Sequence, residues 1–386
     1  MRRHSKASDA VANPFIVMMA LCTWVVSALA VGVTAYGQPL PSVLTRAGII
    51  DVVAGGARCD GVSDDSAALN KAAGGARAFS DGAAYGGIVM IPAGRRCRVD
   101  STLEIPWGAS FEASGAVLDF RHLKGGVAIQ IGFNGPPAQR LERPTLLRFG
   151  VVLGPGADSA TVGIRMGGGS SQSAATTTDV DLDDTTVSGF GIGVQFGNNA
   201  FNDHLHHDSL SQDGVAIADI PGAVDMGAQM SVSDTAFAAN GHDLHIGAIQ
   251  EFDCERCSFG DNSSIPFVIL YGNRTYKFDA CRFENGGRPG ETASDSTPVF
   301  VDIVGPVTNL MFDTVYFTMS GAGVPVAWDN TGIGSVLFLN SRAEGGNPAY
   351  SDLKGGQRAL AINSPSISGP VTQQTANPAT SVPVSR

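Results

Sequence analysis

Basic side chains are in short supply. The 386-residue chain carries 25 Lys and Arg against 36 Asp and Glu, a net charge of −11. Three of the cations, Arg2, Arg3 and Lys6, sit at the extreme N-terminus, so the remainder is more acidic still. That balance argues against nucleic acid as a partner. It leaves anionic sugars open, because Arg, Lys or a metal can hold those locally. Gly-x-Ser-x-Gly, a phosphate loop and His-Glu-x-x-His are all missing, which removes the usual signatures of a serine hydrolase, a nucleotide-binding site and a zinc protease. Cysteines number six, but Cys254-x-x-Cys257 is not matched by a second pair at metal-ligand spacing, so no metal site is read from the sequence. Only one long apolar run occurs, from Phe15 to Ala35. It follows a basic start and precedes Ala35-Tyr36-Gly37, a small-x-small site. This predicts a secretory signal over 1–37 cleaved near Gly37, or an uncleaved membrane anchor. Either way the body is expected outside the cytoplasm, as a secreted, periplasmic or cell-surface protein.

What the chain has in quantity is glycine, 49 residues, and a short sentence written seven times. The copies read VDLDDTTV (180–187), DHLHHDSL (203–210), MSVSDTAF (230–237), FDCERCSF (252–259), YKFDACRF (276–283), LMFDTVYF (310–317) and VLFLNSRA (336–343). Their last residues are 23, 27, 22, 24, 34 and 26 apart. A register of this length with one strand-like signature per copy is a solenoid. Within a copy the apolar period is 2, then a bend, then 2 again. Phe252, Cys254, Cys257 and Phe259 face in, while Asp253, Glu255 and Ser258 face out. A further short apolar strand follows each copy: Val194–Phe196, Val215–Ile217, Leu244–Ile246, Val268–Leu270, Phe300–Ile303, Val326–Trp328 and Leu360–Ile362. Each coil therefore holds about three strands, and the coils stack at the ~4.8 Å spacing of paired strands. This predicts a parallel β-helix. Its one-sided apolar frame rules out a membrane barrel or a coiled coil.

Residues 49–121 differ from the array. They read as a strand with Gly56-Ala57 and Asp60-Gly61, then Ser63-Asp64-Asp65-Ser66 opening a helix, Gly86-Gly87, and a strand ending in Pro92-Ala93-Gly94. This stretch resembles the N-terminal module of the pectate-lyase superfamily of right-handed β-helices, the group with rhamnogalacturonase-like, epimerase-like and tailspike proteins. The resemblance implies a single-stranded right-handed parallel β-helix with an N-terminal capping α-helix. In that helix Leu69, Ala72, Ala73, Ala76 and Phe79 share a face, and Asp64 or Asp65 caps its start. Cys59 stands where the pattern has glycine and Cys97 where it has an aromatic, and together these changes favour a disulfide between them. The expected organisation is 1–37 export segment, 38–121 N-terminal module and first coils, 122–363 β-helix, and 364–386 a disordered Ser/Thr/Pro/Gln-rich tail.

The resemblance further implies a carbohydrate-active protein whose partner is a polysaccharide, acidic or neutral. The polygalacturonase set is absent, and Asp184 of Asp183-Asp184 is expected to point inward, so no catalytic residue carries over. Candidates come from the frame instead. Asp253, Glu255, Lys277 and Asp279 stand outward on neighbouring coils, ~4.8 Å apart between coils and ~6.6 Å along a strand. That suits the paired carboxylates of glycoside hydrolysis. β-Elimination of a uronate stays open: Lys277, Arg282, Tyr316 and the histidines are the right types for its base and for the cation that holds the sugar carboxylate, with Asp253, Glu255 and Asp279 holding Ca²⁺. So does binding without catalysis. His204, His206, Arg282, Tyr316 and Arg342 are the expected substrate-binding residues. No cofactor other than Ca²⁺ for elimination is implied.

Overall fold

The computed structural model describes residues 48–80, 87–106, 109–132, 145–169, 177–220, 229–262, 266–272, 274–284, 299–304, 307–318, 324–328, 334–344, 358–364 and 366–367. The expected export segment and nearly all of the expected tail lie outside them. Short apolar strands separated by single bends stack into three parallel sheets, of twelve, eleven and nine strands among the described residues. The first runs from Ile49–Asp51 to Arg358–Ile362, the second from Asp60–Asp64 to Arg342–Glu344, and the third from Leu103–Ile105 to Val324–Trp328. The chain visits one strand of each sheet per coil. The fold is a right-handed parallel β-helix, and the sequence repeat is its coil.

Inward positions hold the core. Phe237, Phe259, Phe283 and Phe317 stack face to face on successive coils, with centroids 4.7, 4.5 and 5.1 Å apart. Phe278, Phe312 and Phe338 form a second column at 5.4 and 5.0 Å. Stacking identical rings at the coil spacing buries their faces while in-register pairing fixes their alignment.

The bend from the first sheet to the second is one residue in the left-handed region, repeated coil after coil. Asp184, His207, Asp234, Arg256, Ala280, Thr314, Asn340 and Asn363 have φ between 49° and 56°. None is glycine, although this conformation disfavours a Cβ. All but Asn363 donate to the next coil from their backbone: Asp184 N–H to His206 O, Asp234 N–H to Glu255 O, and Arg256 N–H to Asp279 O among them. Asp184 is exposed rather than pointing inward. The bend inserts one residue of αL backbone, which turns Asp184 out and leaves the next residue, Thr185, facing the core. That next position is buried and mostly polar, and it ties coils together. Asp208 Oδ1 accepts from Thr185 N–H at 2.8 Å, Ser341 Oγ from Val315 N–H at 3.1 Å, and Ser364 Oγ from Ser341 N–H at 3.0 Å. Cys257 and Cys281 occupy the same step as free, buried thiols.

Two boundaries move. Leu360–Ile362 belongs to the first sheet, paired with Leu337–Leu339, and is not a third-sheet strand. It opens a new coil. The ladder also runs past 363, since Ser366 Oγ accepts from Ala343 N–H and Ile367 is fully buried.

Helix α1 (Ser66–Ser80) closes the N-terminal end. Leu69, Ala72, Ala73 and Ala76 are buried, and the Phe79 side chain is outside the described residues. Asp64 Oδ1 accepts from Ser66 N–H at 3.0 Å and caps the helix. Asp65 instead accepts from Arg58 and Cys59 N–H, at 2.7 and 3.0 Å, and fixes the preceding loop. Gly87 is required by contact, since a Cβ there would meet Ala76 Cα at 2.9 Å. A disulfide joins Cys59 and Cys97 across 38 residues and pins this module to the second sheet.

Candidate functional site

Strand alternation sends every second side chain of the first sheet outward, and parallel register lines them up along the axis. One column is Asp181, His204, Ser231, Asp253, Lys277 and Met311. Its neighbour is Asp183, His206, Ser233, Glu255, Asp279 and Asp313. The bend residues make a third. Polar and ionisable groups fill the columns from Asp181 to Asp279. Beyond that the columns turn mostly apolar with Met311, Leu337 and Leu339, Asp313 excepted.

The four expected catalytic residues are register neighbours, Asp253 with Lys277 and Glu255 with Asp279. Their side chains divide three to one. Lys277 Nζ donates to Asp279 Oδ2 at 2.9 Å. That bond raises the Lys277 pKa and keeps the ammonium charged. Asp253 lies beside them and is open to solvent on its outer side, but crowding by its neighbours removes enough water to raise its pKa. Lys277 opposes that rise, and the carboxylates of Glu251, Asp279 and Glu255 add to it. Glu255 turns away to the bend and pairs with Arg256. Among the described residues Asp253, Glu255 and Asp279 do not bring three ligand oxygens together.

The expected binding residues separate into two places. Arg282, Tyr316 and Arg342 are register neighbours on the second sheet, around the bend. Both guanidinium carbons stand 5.8 Å from the Tyr316 ring centroid, one from each side. The ring faces are thus already covered by cations, which leaves the Tyr316 edge and the arginines themselves to meet a ligand. Tyr316 Oη donates to Glu344, and Arg282 and Arg342 pair with Glu284 and Glu344. His204 and His206 lie on the first sheet, with the strand of Ser231 and Ser233 between them and Asp253 and Glu255. His204 Nδ1 is hydrogen-bonded to Ser231 Oγ. His206 sits between two carboxylates, with Nδ1 3.3 Å from Asp183 Oδ1 and Nε2 3.5 Å from Asp234 Oδ2.

An ion-pair chain that sequence reading missed runs along this edge. Glu112 faces Arg148 at 3.7 Å, Arg148 grips Asp183 at 2.6 Å, and Arg256 grips Asp234 at 2.6 Å. Asp234 and Arg256 of this chain stand at bend positions of the repeat, where an αL residue keeps its side chain outside.

No protein-family model matches the chain, and no curated protein matches it. Solved structures do. A Geobacillus virus E2 protein, ORF18, superposes with a TM-score of 0.59 at 15% identity, over 83% of this chain and 62% of that one. Tailspike gp49 of Acinetobacter baumannii bacteriophage Fri1, a capsular polysaccharide depolymerase, gives 0.54 at 9% identity over 82% and 58%. Bacteriophage CBA120 tailspike protein 3 gives 0.50 at 10% over 85% and 61%. The chain thus spans less than two thirds of the length of each. At these identities the likeness establishes the shared β-helix fold.

Proposed function

We propose that this protein is a polysaccharide hydrolase that lays a glycan along the outer face of the first sheet and cleaves it over Asp253, Lys277 and Asp279. One observation carries the reading: a carboxyl pushed toward its protonated form stands beside a carboxylate anchored by an ammonium. Such a division of two acids by environment is what acid–base hydrolysis of a glycoside uses. Asp253 and Asp279 are one coil and two residues apart, about 8 Å from the strand geometry. That falls in the range that leaves room for a water between acid and base, so inversion is expected. Asp253 would protonate the glycosidic oxygen as the bond to the anomeric carbon breaks. Asp279 would take a proton from the water that attacks that carbon. Lys277, held cationic, is ill-suited to abstract a ring proton, which favours hydrolysis over elimination. It would steady Asp279 and meet anionic substituents of the chain. The fold shared with a capsular polysaccharide depolymerase fits this substrate class.

We also infer export through residues 1–37. The support is the Cys59–Cys97 bond, since such bonds persist in oxidising compartments. The test of function is a panel of acidic and neutral polysaccharides, scored for new reducing ends and for unsaturated uronates. Reducing ends without unsaturation are expected. Unsaturated products would replace hydrolysis by elimination, and binding without cleavage of any glycan would leave a lectin-like protein.

A further inference from the structure

The repeated geometry of the bend places a second cluster on this face, apart from Asp253 and Asp279. Adjacent residues of a strand point to opposite sides, so His206 and His207 would normally diverge. His207 is the αL bend residue, with φ 56°, and this turns its ring back out beside His206. The two ring centroids are 3.7 Å apart. Both Nδ1 atoms face one oxygen, Asp183 Oδ1, at 3.3 and 3.7 Å. Asp183 is 8% exposed, and its Oδ1 is sealed from solvent without a hydrogen bond among the described residues.

The surrounding groups hold this arrangement. Arg148 occupies the other carboxylate oxygen, donating to Oδ2 from Nε at 2.9 Å and from a terminal nitrogen at 2.6 Å, so Oδ1 is left for a different partner. Asp234 Oδ2 faces His206 Nε2 at 3.5 Å. Asp234 is itself fixed by Arg256 through bonds of 2.7 and 2.6 Å. Asp234 Oδ2 is placed to accept from Nε2–H, the tautomer that leaves a lone pair on Nδ1. The result is three electron-pair donors, two imidazole nitrogens and a carboxylate oxygen, mutually within 4.8 Å. With Nδ1 unprotonated on both rings the three atoms are all acceptors, and a single cation satisfies them together where one proton serves only one pair.

We propose that Asp183, His206 and His207 bind a divalent transition-metal ion of the Zn²⁺ or Co²⁺ class. Two nitrogens and one oxygen suit borderline ions rather than Ca²⁺ or Mg²⁺. Three protein ligands leave coordination positions open on the solvent side for water or an anionic ligand. Asp234 and Arg148 are the outer groups that orient His206 and Asp183, as such partners do in metal sites generally. The site does not depend on the hydrolase reading, because its ligands lie outside the Asp253–Asp279 cluster.

The test uses the purified full chain stripped with a chelator, titrated with Zn²⁺ by calorimetry and with Co²⁺ by absorption. One saturable equivalent per chain is expected. His207→Ala and His206→Ala should each weaken it at least tenfold, Asp234→Asn should weaken it by roughly 10–100-fold as an outer-shell change, and His204→Ala should leave it unchanged. Circular dichroism of each variant separates ligand loss from misfolding. His207 is an exposed bend residue, so its alanine variant retains the core. The proposal is overturned by absence of saturable binding, by binding that survives the His206→Ala/His207→Ala double change, or by a thiolate charge-transfer band that moves the ion to the buried Cys254, Cys257 and Cys281.

Discussion

Asp203 shows how strongly single positions are tuned by this fold. It is fully buried, accepts from Thr177 Oγ1 at 2.6 Å and from Val180 N–H at 3.1 Å, and burial pushes its pKa up to about 7. The unfolded chain returns it to the ordinary value near 3.8. Because the folded form holds its proton longer, the unfolded state gains as pH rises from about 4 to about 7, and stability falls across that window before levelling. Asp243, also pushed up to about 7 between Asn240 and Asn262, adds to the same slope. Asp203→Asn keeps an acceptor for Val180 and should flatten the dependence in denaturant titrations over that range; an unchanged slope would contradict the assignment. At the site, Asp279→Asn removes the proposed base and the partner of Lys277. A loss of roughly 10²–10⁴-fold in cleavage rate is expected with substrate binding retained. A rate within a factor of two of wild type would remove Asp279 from the chemistry.

At the scale of the strand and bend, the repeat was readable because core and surface alternate with a fixed period. Phe252, Cys254, Cys257 and Phe259 face in and Asp253 and Glu255 face out, as period 2 with one bend requires. Periodicity locates a side chain on a face but not among its neighbours. It could not show that Glu255 leans to Arg256, nor that His207 and Asp184 turn outward, because one αL residue resets the alternation. It also left Leu360–Ile362 in the wrong sheet, since an apolar triplet looks the same in either. The stacked rings give the next prediction. Phe259 lies between Phe237 and Phe283, so Phe259→Ala should cost about 3–5 kcal/mol in chemical denaturation. A loss below 1 kcal/mol would mean the column does not carry the core. The disulfide closes a 38-residue separation, and the chain-entropy relation gives about 4 kcal/mol for that loop. Cys59→Ser/Cys97→Ser should therefore melt well below the parent, and equal melting would show the bond to be dispensable.

On the scale of the whole molecule, each coil touches mainly the coils before and after it, so stability is a sum along an axis. The N-terminal end is closed by α1, and the face of the first sheet changes from ionisable to apolar along its length. A glycan binding that face would run parallel to the axis, across strands, and meet the ionisable half first. The architecture was legible from the repeat and from the N-terminal module. The chemistry was legible only as a list of outward groups, because pairing between coils decides which of them meet. The most direct test is a crystal structure with an oligosaccharide from a polysaccharide that the panel selects. Sugar rings should lie along the first sheet, with a glycosidic oxygen within hydrogen-bonding reach of Asp253 and a sugar group against Lys277. An oligosaccharide held instead on the second or third sheet, clear of Asp253, Lys277 and Asp279, would contradict that placement.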